Sequence, residues 1–142
     1  PALVFAAAAL ISFATGTSYG TMAIMLPTAI PVAYALSDGA IGFVLVASLA
    51  AVLDGAIFGD HCSPISDTTI MSSLSSHCDH MHHVRTQLPY SLLVASVALT
   101  GGYALTGLGT SHWLAIPAAA ALLLIGHLAL ARLWPGRDAK AA

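Results

Sequence analysis

The sequence predicts an all-α, polytopic membrane protein built from interrupted helices. Three observations predict it. Only 7% of the 142 residues are charged while 58% are hydrophobic, and the mean hydropathy is +0.87; a soluble domain carries about 25% charge. The few charges are segregated, since residues 1–37 and 86–131 contain no Asp, Glu, Lys or Arg. Clusters of Gly, Pro and hydroxyl residues interrupt the apolar runs at two places, the pattern expected of discontinuous helices that line a transport site. A β-barrel would need alternating segments of about ten residues, and the chain has none. No basic patch offers nucleic acid a surface.

Taken in order, residues 1–14 read as an apolar helix, interrupted by Thr15-Gly16-Thr17-Ser18-Tyr19-Gly20-Thr21 and resumed over 22–36, where Pro27 and Pro31 soften it. Ser37-Asp38-Gly39 reads as a turn and helix cap. The next helix covers 40–59. The segment His61-Cys62-Ser63-Pro64-Ile65-Ser66 breaks it, and Ser63 as N-cap with Pro64 at the first helical position starts a second piece to Ser76. The 37 residues of 40–76 would extend about 55 Å as one straight helix, beyond a hydrocarbon core of about 30 Å. The segment must therefore break, tilt or leave the membrane. Residues 77–87 read as a polar interfacial loop. Two spans follow, 88–109 and 112–133, then a tail at 134–142. Arg85, Arg132, Arg137 and Lys140 assign the 77–85 loop and the C-terminus to the cytoplasmic side.

The first interruption offers hydroxyls and unwound carbonyls, which suit a hard cation that has shed water. Helix packing through small residues would use the same residue types. In the second, Asp60 and Asp67 flank Ser63, Ser66, Thr68 and Thr69. A charge at mid-membrane costs about 2.5–3.5 kcal/mol whereas a cap contributes about 1 kcal/mol, so capping alone does not account for both carboxylates. A carboxylate that holds either H⁺ or a metal cation, never both, is sufficient for exchange. Doing so near neutral pH requires burial to raise an ordinary carboxylate by about 3 units. Asp60, Asp67 and Asp54 are the proton-coupling candidates. Asp54 lies six residues before Asp60, off its helix face.

His77, Cys78, His80, His82 and His83, with His61 and Cys62, carry zinc-type ligands. The spacing contains no C-x-x-C. Metal binding, pH sensing and a plain polar loop are the three readings of this segment, and the plain loop is the simplest. The two cysteines are expected as free thiols. His112 reads as a turn residue and His127 as a packing residue.

Three stretches, SFATGTSYGTMAIMLPTAIPVA (12–33), GAIFGDHCSPISDTTIMSS (55–73) and CDHMHHVRTQLPYSLLVA (78–95), resemble the NhaC-type Na⁺/H⁺ antiporter family. The resemblance implies an inverted-repeat transporter with re-entrant or broken helices, of which this chain is the C-terminal half. Residues 1–36 would be a hairpin or discontinuous span and 40–76 the broken helix of the second repeat. It points to Thr15, Thr17, Ser18 and Thr21, and to Asp60, Ser63, Ser66, Asp67, Thr68 and Thr69, as the ion- or substrate-binding set. The expected cargo is Na⁺ and H⁺ with no cofactor and no enzymatic chemistry; malate/lactate-type exchange is the runner-up. Expected partners are lipid, the N-terminal repeat and a second copy in a homo-oligomer. The expected location is a bacterial inner membrane. On this reading Asp67→Asn abolishes exchange and changes in the His/Cys loop leave it largely intact.

Overall fold

The computed structural model describes residues 1–107, 109 and 111–133, and every regular element among them is helical. The chain divides into two compact units, Pro1–Ser91 and Leu92–Ala142. The expected 134–142 tail, with Arg137 and Lys140, lies outside the described residues.

The first unit is organised by small residues. Helix α1 (Ala2–Thr15) buries Phe5, Ala8, Ala9 and Ser12, spaced three and four apart on one face. After α2 (Ser18–Ala35) and a turn, helix α3 (Phe43–Cys62) buries Ser48, Ala51, Val52, Gly55, Ala56, Gly59, Asp60 and Cys62. At Gly59 a Cβ would collide with the Ala9 carbonyl and lie 2.7 Å from the Phe13 nitrogen. The two backbones therefore touch, as in small-residue packing of membrane helices. Ser12 Oγ donates to the Ala56 carbonyl at 2.6 Å, and Phe5 stacks on Phe58 with centroids 6.1 Å apart.

The first interruption is narrower than the sequence implies. Helix α1 runs to Thr15 and α2 resumes at Ser18, so only Gly16 and Thr17 are non-helical. Gly16 takes the left-handed conformation at φ 68° and its N–H bonds to the Ser12 carbonyl, a glycine C-cap. Thr17 caps α2 by accepting from the Gly20 N–H at 3.3 Å. The turn expected at 37–39 is present, with Asp38 and Gly39 both at positive φ.

At the second interruption the expected boundaries move by three residues. Helix α3 continues past Gly59 to Cys62, Ser63 ends it, and α4 (Asp67–Ser75) begins with Ser66, not Ser63, as N-cap. There the Ser63 hydroxyl donates to the Phe13 carbonyl of α1 at 2.8 Å and accepts from the Ile65 N–H at 3.4 Å. Ser66 Oγ accepts from the Thr68 N–H at 3.2 Å. Helix α4 ends in a Schellman-type closure, with His77 at φ 53° and the Cys78 N–H on the Ser73 carbonyl.

The expected 77–87 loop is mostly helix. Helix α5 (His80–Val97) starts inside it because Asp79 caps the end, accepting from the His82 N–H at 2.8 Å through Oδ1. Both cysteines are free thiols.

In the second unit the expected 88–109 span is not a uniform α-helix. After α5 come a π-helical stretch, Ala98–Ala104, and a short α6 (Leu105–Gly107). Thr100 Oγ1 bonds to the Ser96 carbonyl at 2.7 Å, the type of back-bond that competes with the regular ladder. Helix α7 (His112–Leu133) matches the expected 112–133. Gly126 faces Leu93 and Gly101 faces Ala119, so α7 runs antiparallel to the segment before it.

Among the described residues two helices are long and apolar enough to cross a membrane, Phe43–Cys62 and Trp113–Arg132, with mean hydropathies of 1.8 and 2.2. The first unit buries an unusual share of hydroxyl side chains and exposes large apolar ones. The largest fully buried side chains are Val52, Thr21, Ser12, Ser63, Ser66 and Ser73, nearly all hydroxyl-bearing, while Leu3, Tyr19 and Ile41 are each more than 80% exposed.

Candidate functional site

The two interruptions meet. A Cβ on Gly16 would lie 3.0 Å from the Ile65 carbonyl oxygen, and Ser63 holds the α1 carbonyl of Phe13. The C-terminal ends of α1 and α3 and the N-terminal ends of α2 and α4 therefore come together in the first unit. C-terminal ends present unpaired carbonyls and partial negative charge, and N-terminal ends the opposite.

Asp60 lies at this meeting point, on the last turn of α3, and is 7% exposed. Its Oδ1 accepts from Ser66 Oγ at 2.6 Å, the length of a charge-assisted O–H···O⁻ bond. Its Oδ2 accepts from Thr68 Oγ1 at 3.1 Å and from Ser18 Oγ at 3.4 Å. Ser66 and Thr68 are also 2.8 Å apart through their hydroxyls. Each hydroxyl that donates one proton keeps lone pairs for a further contact. One carboxylate and three hydroxyls from two separate breaks thus form a compact oxygen cluster, the donor type that hard cations select.

The remaining sequence-derived hydroxyl candidates bond to backbone groups outside the Asp60 cluster. Thr15 bonds back to the Ile11 carbonyl at 2.9 Å. Thr17 is the α2 cap, and Thr21 donates to the Thr17 carbonyl at 2.8 Å. Ser63 braces α1, and Thr69 satisfies the His61 carbonyl at the end of α3. These hydroxyls hold the backbone in its broken form. Asp67 opens α4, where a carboxylate suits the positive helix end, but its side chain is exposed and is absent from the hydrogen bonds around Asp60. Asp54 is likewise exposed on α3.

Among the described residues no three His, Cys, Asp or Glu side chains converge as a metal-binding group. His77 Nδ1 lies 3.3 Å from the Ser75 carbonyl and Cys78 Sγ 3.6 Å from the Ser73 carbonyl. His80 reaches Pro64 and Ser73.

Sequence reasoning missed Gln87. Its Nε2 donates to the His61 carbonyl at 3.1 Å, so it helps Thr69 satisfy the end of α3. Its Oε1 is buried with no hydrogen-bond partner among the described residues. Gln87 is the last polar residue before the apolar run that begins at Leu88, and that position was the available signal.

Residues 1–108 match the Na⁺/H⁺ antiporter family. A Haemophilus influenzae protein of uncharacterized function is 44% identical over 88% of this chain and 23% of its own length. The malate-2H⁺/Na⁺-lactate antiporter of Bacillus subtilis is 41% identical over 58% of this chain and 17% of its own. An uncharacterized Na⁺/H⁺ antiporter of H. influenzae is 36% identical over 66% of this chain and 20% of its own. The chain thus spans about a fifth of the length of these relatives. No solved structure matches it.

Proposed function

This chain belongs to the Na⁺/H⁺ antiporter family, and from that premise we propose that it is part of a secondary transporter that exchanges Na⁺ for H⁺ by alternating access. The observation that carries the proposal is the buried Asp60 carboxylate, held by Ser18, Ser66 and Thr68 where two helix breaks meet. In the cation-loaded state Asp60 is ionised and these oxygens replace water around Na⁺. In the proton-loaded state Asp60 carries H⁺ and the cation has no counter-charge. The two loads exclude each other, and that exclusion couples the fluxes. The unwound links at 16–17 and 63–66 supply the backbone freedom a gating step needs.

The apolar exterior of the first unit suits lipid and the rest of a longer, polytopic transporter. That remainder includes an opposing repeat. Arg85 and Arg132 are proposed to face the cytoplasm of a bacterial cell.

A second reading is exchange of an organic acid with coupled H⁺ and Na⁺, which the 41% identity to the malate/lactate antiporter favours. Here the N-terminal ends of α2 and α4 would receive the substrate carboxylate. Proton flux into vesicles holding the complete polypeptide, driven by a Na⁺ gradient with and without malate and lactate, separates the two. Na⁺ alone moves protons on the first reading. If protons move only with the organic acid present, the second reading replaces it. If neither moves protons, both fail.

A further inference from the structure

The chemistry above leaves His80 unused, although both of its ring nitrogens are engaged. Nε2 lies 2.7 Å from the Pro64 carbonyl oxygen and Nδ1 lies 3.1 Å from Ser73 Oγ. A carbonyl only accepts, so Nε2 carries a proton. Ser73 has one hydroxyl proton and two acceptors within reach, His80 Nδ1 and the Ile70 carbonyl at 2.8 Å. In the neutral ring Ser73 donates to Nδ1. In the imidazolium Nδ1 donates to Ser73, whose proton turns to Ile70. Either way the ring ties the unwound link 63–66 to the last turn of α4.

That tie bears on the carboxylate cluster. Pro64 is in the four-residue link between α3 and α4, and Ser66, two residues on, makes the shortest bond to Asp60. Thr68 follows within the first turn of α4. Ser73 is 1% exposed, so the α4 end of the tie is firmly seated. At the Pro64 end the link lies outside any helix and its carbonyl must find a partner. The neighbours of His80 do not reach the link in this way: His77 and Cys78 bond to carbonyls of the last turns of α4.

We propose that His80 is a positioning residue for the cation site. It holds link 63–66 in register with α4, so that the Ser66 and Thr68 hydroxyls are already directed at Asp60 before the ion arrives. The proposal rests on the reading of Asp60 as the ion-binding carboxylate. Without the tie, binding must order the link as well as capture the ion, which weakens affinity. The transport step after capture is unchanged.

The test uses the complete polypeptide in membrane vesicles, with Na⁺-driven proton flux measured against Na⁺ concentration. His80→Ala is expected to raise KM for Na⁺ about three- to tenfold, the worth of a lost hydrogen bond, with kcat within about twofold. His80→Gln presents an amide N–H to Pro64 and a carbonyl oxygen to Ser73, and is expected to restore KM to within about twofold of the parent. If His80→Ala does not reach the membrane, His80→Asn, whose shorter amide cannot span both partners, is read in its place with the same expectation. Unchanged KM in these variants overturns the proposal. So does a fall in kcat in place of a rise in KM, or a glutamine variant as impaired as the alanine one. Asp60→Asn is the separate control. An active parent and an inactive Asp60→Asn sustain the reading of Asp60 whatever His80 does, and a parent that moves no protons with Na⁺ sinks both.

Discussion

Ser66 Oγ lies 2.6 Å from Asp60 Oδ1, and the same oxygen accepts the Thr68 N–H that opens α4. One hydroxyl therefore caps a half-helix and holds the buried carboxylate, so the helix break and the cluster around Asp60 are built from a single atom. Local backbone geometry and the chemistry proposed for the site cannot vary independently there.

Asp60→Asn keeps the shape of the side chain and removes its charge. It is expected to abolish Na⁺-driven proton flux, by about a hundredfold or more, since a neutral amide neither carries the proton nor balances the cation. Asp67→Asn is expected to retain exchange, because the Asp67 side chain is exposed and stands apart from the bonds that hold Asp60. Flux assays on both variants at matched membrane abundance make the comparison. Sequence reasoning kept both carboxylates as proton-coupling candidates and expected the loss at Asp67; the same assay decides between the two.

Ser66→Ala removes the cap and the shortest contact to Asp60 together. Loss of a cap costs about 1 kcal/mol, and a hydrogen bond to a charged group is worth about 1.5–3 kcal/mol. Sodium affinity should fall about tenfold or more. Ser66→Thr, which keeps the hydroxyl, should recover most of it. A sodium titration of flux checks both.

Gly59→Ala should fail for a packing reason. The added Cβ meets the Ala9 carbonyl and the Phe13 nitrogen, which are backbone and cannot swing aside. Overpacking of this kind typically costs about 1–3 kcal/mol, visible as a lower melting temperature in detergent. Gly42→Ala, where nothing lies within 4 Å of the added carbon, is the matched control and should melt near the parent.

Metal removal tests the polar segment. Treatment with a strong chelator should leave exchange unchanged, and purified protein should hold no stoichiometric zinc, because His77, Cys78 and His80 each bond to separate backbone or hydroxyl partners. Cys78→Ser should exchange normally. Zinc retained by the parent and lost in Cys78→Ser would contradict this.

The breaks were legible because their chemistry is local. Gly16 and the Ser63-Pro64 pair announce a helix end to any reader of cap and turn preferences. At Ser63 the structure also adds a tertiary bond to Phe13, 50 residues away, which no local rule anticipates. Asp60 and Asp67 could not be ranked for a related reason. Seven residues apart, they share a face on a continuous helix, and only the unwound link separates them. The approach of Ser18 to Asp60 across 42 residues has no local signature either. Helix α5 began early because Asp79 acts as a cap, a signal concealed inside a run of polar residues.

The central claim is that one carboxylate holds either a proton or a sodium ion. The most direct measurement is proton release when Na⁺ is added to the complete polypeptide, purified in weakly buffered detergent. For a titration begun at a pH where the sodium-free protein carries a proton on Asp60, the account predicts proton release on addition of Na⁺ in the parent, since the ion displaces the proton from that carboxylate, and none in Asp60→Asn. Release of the same size from Asp60→Asn would contradict it.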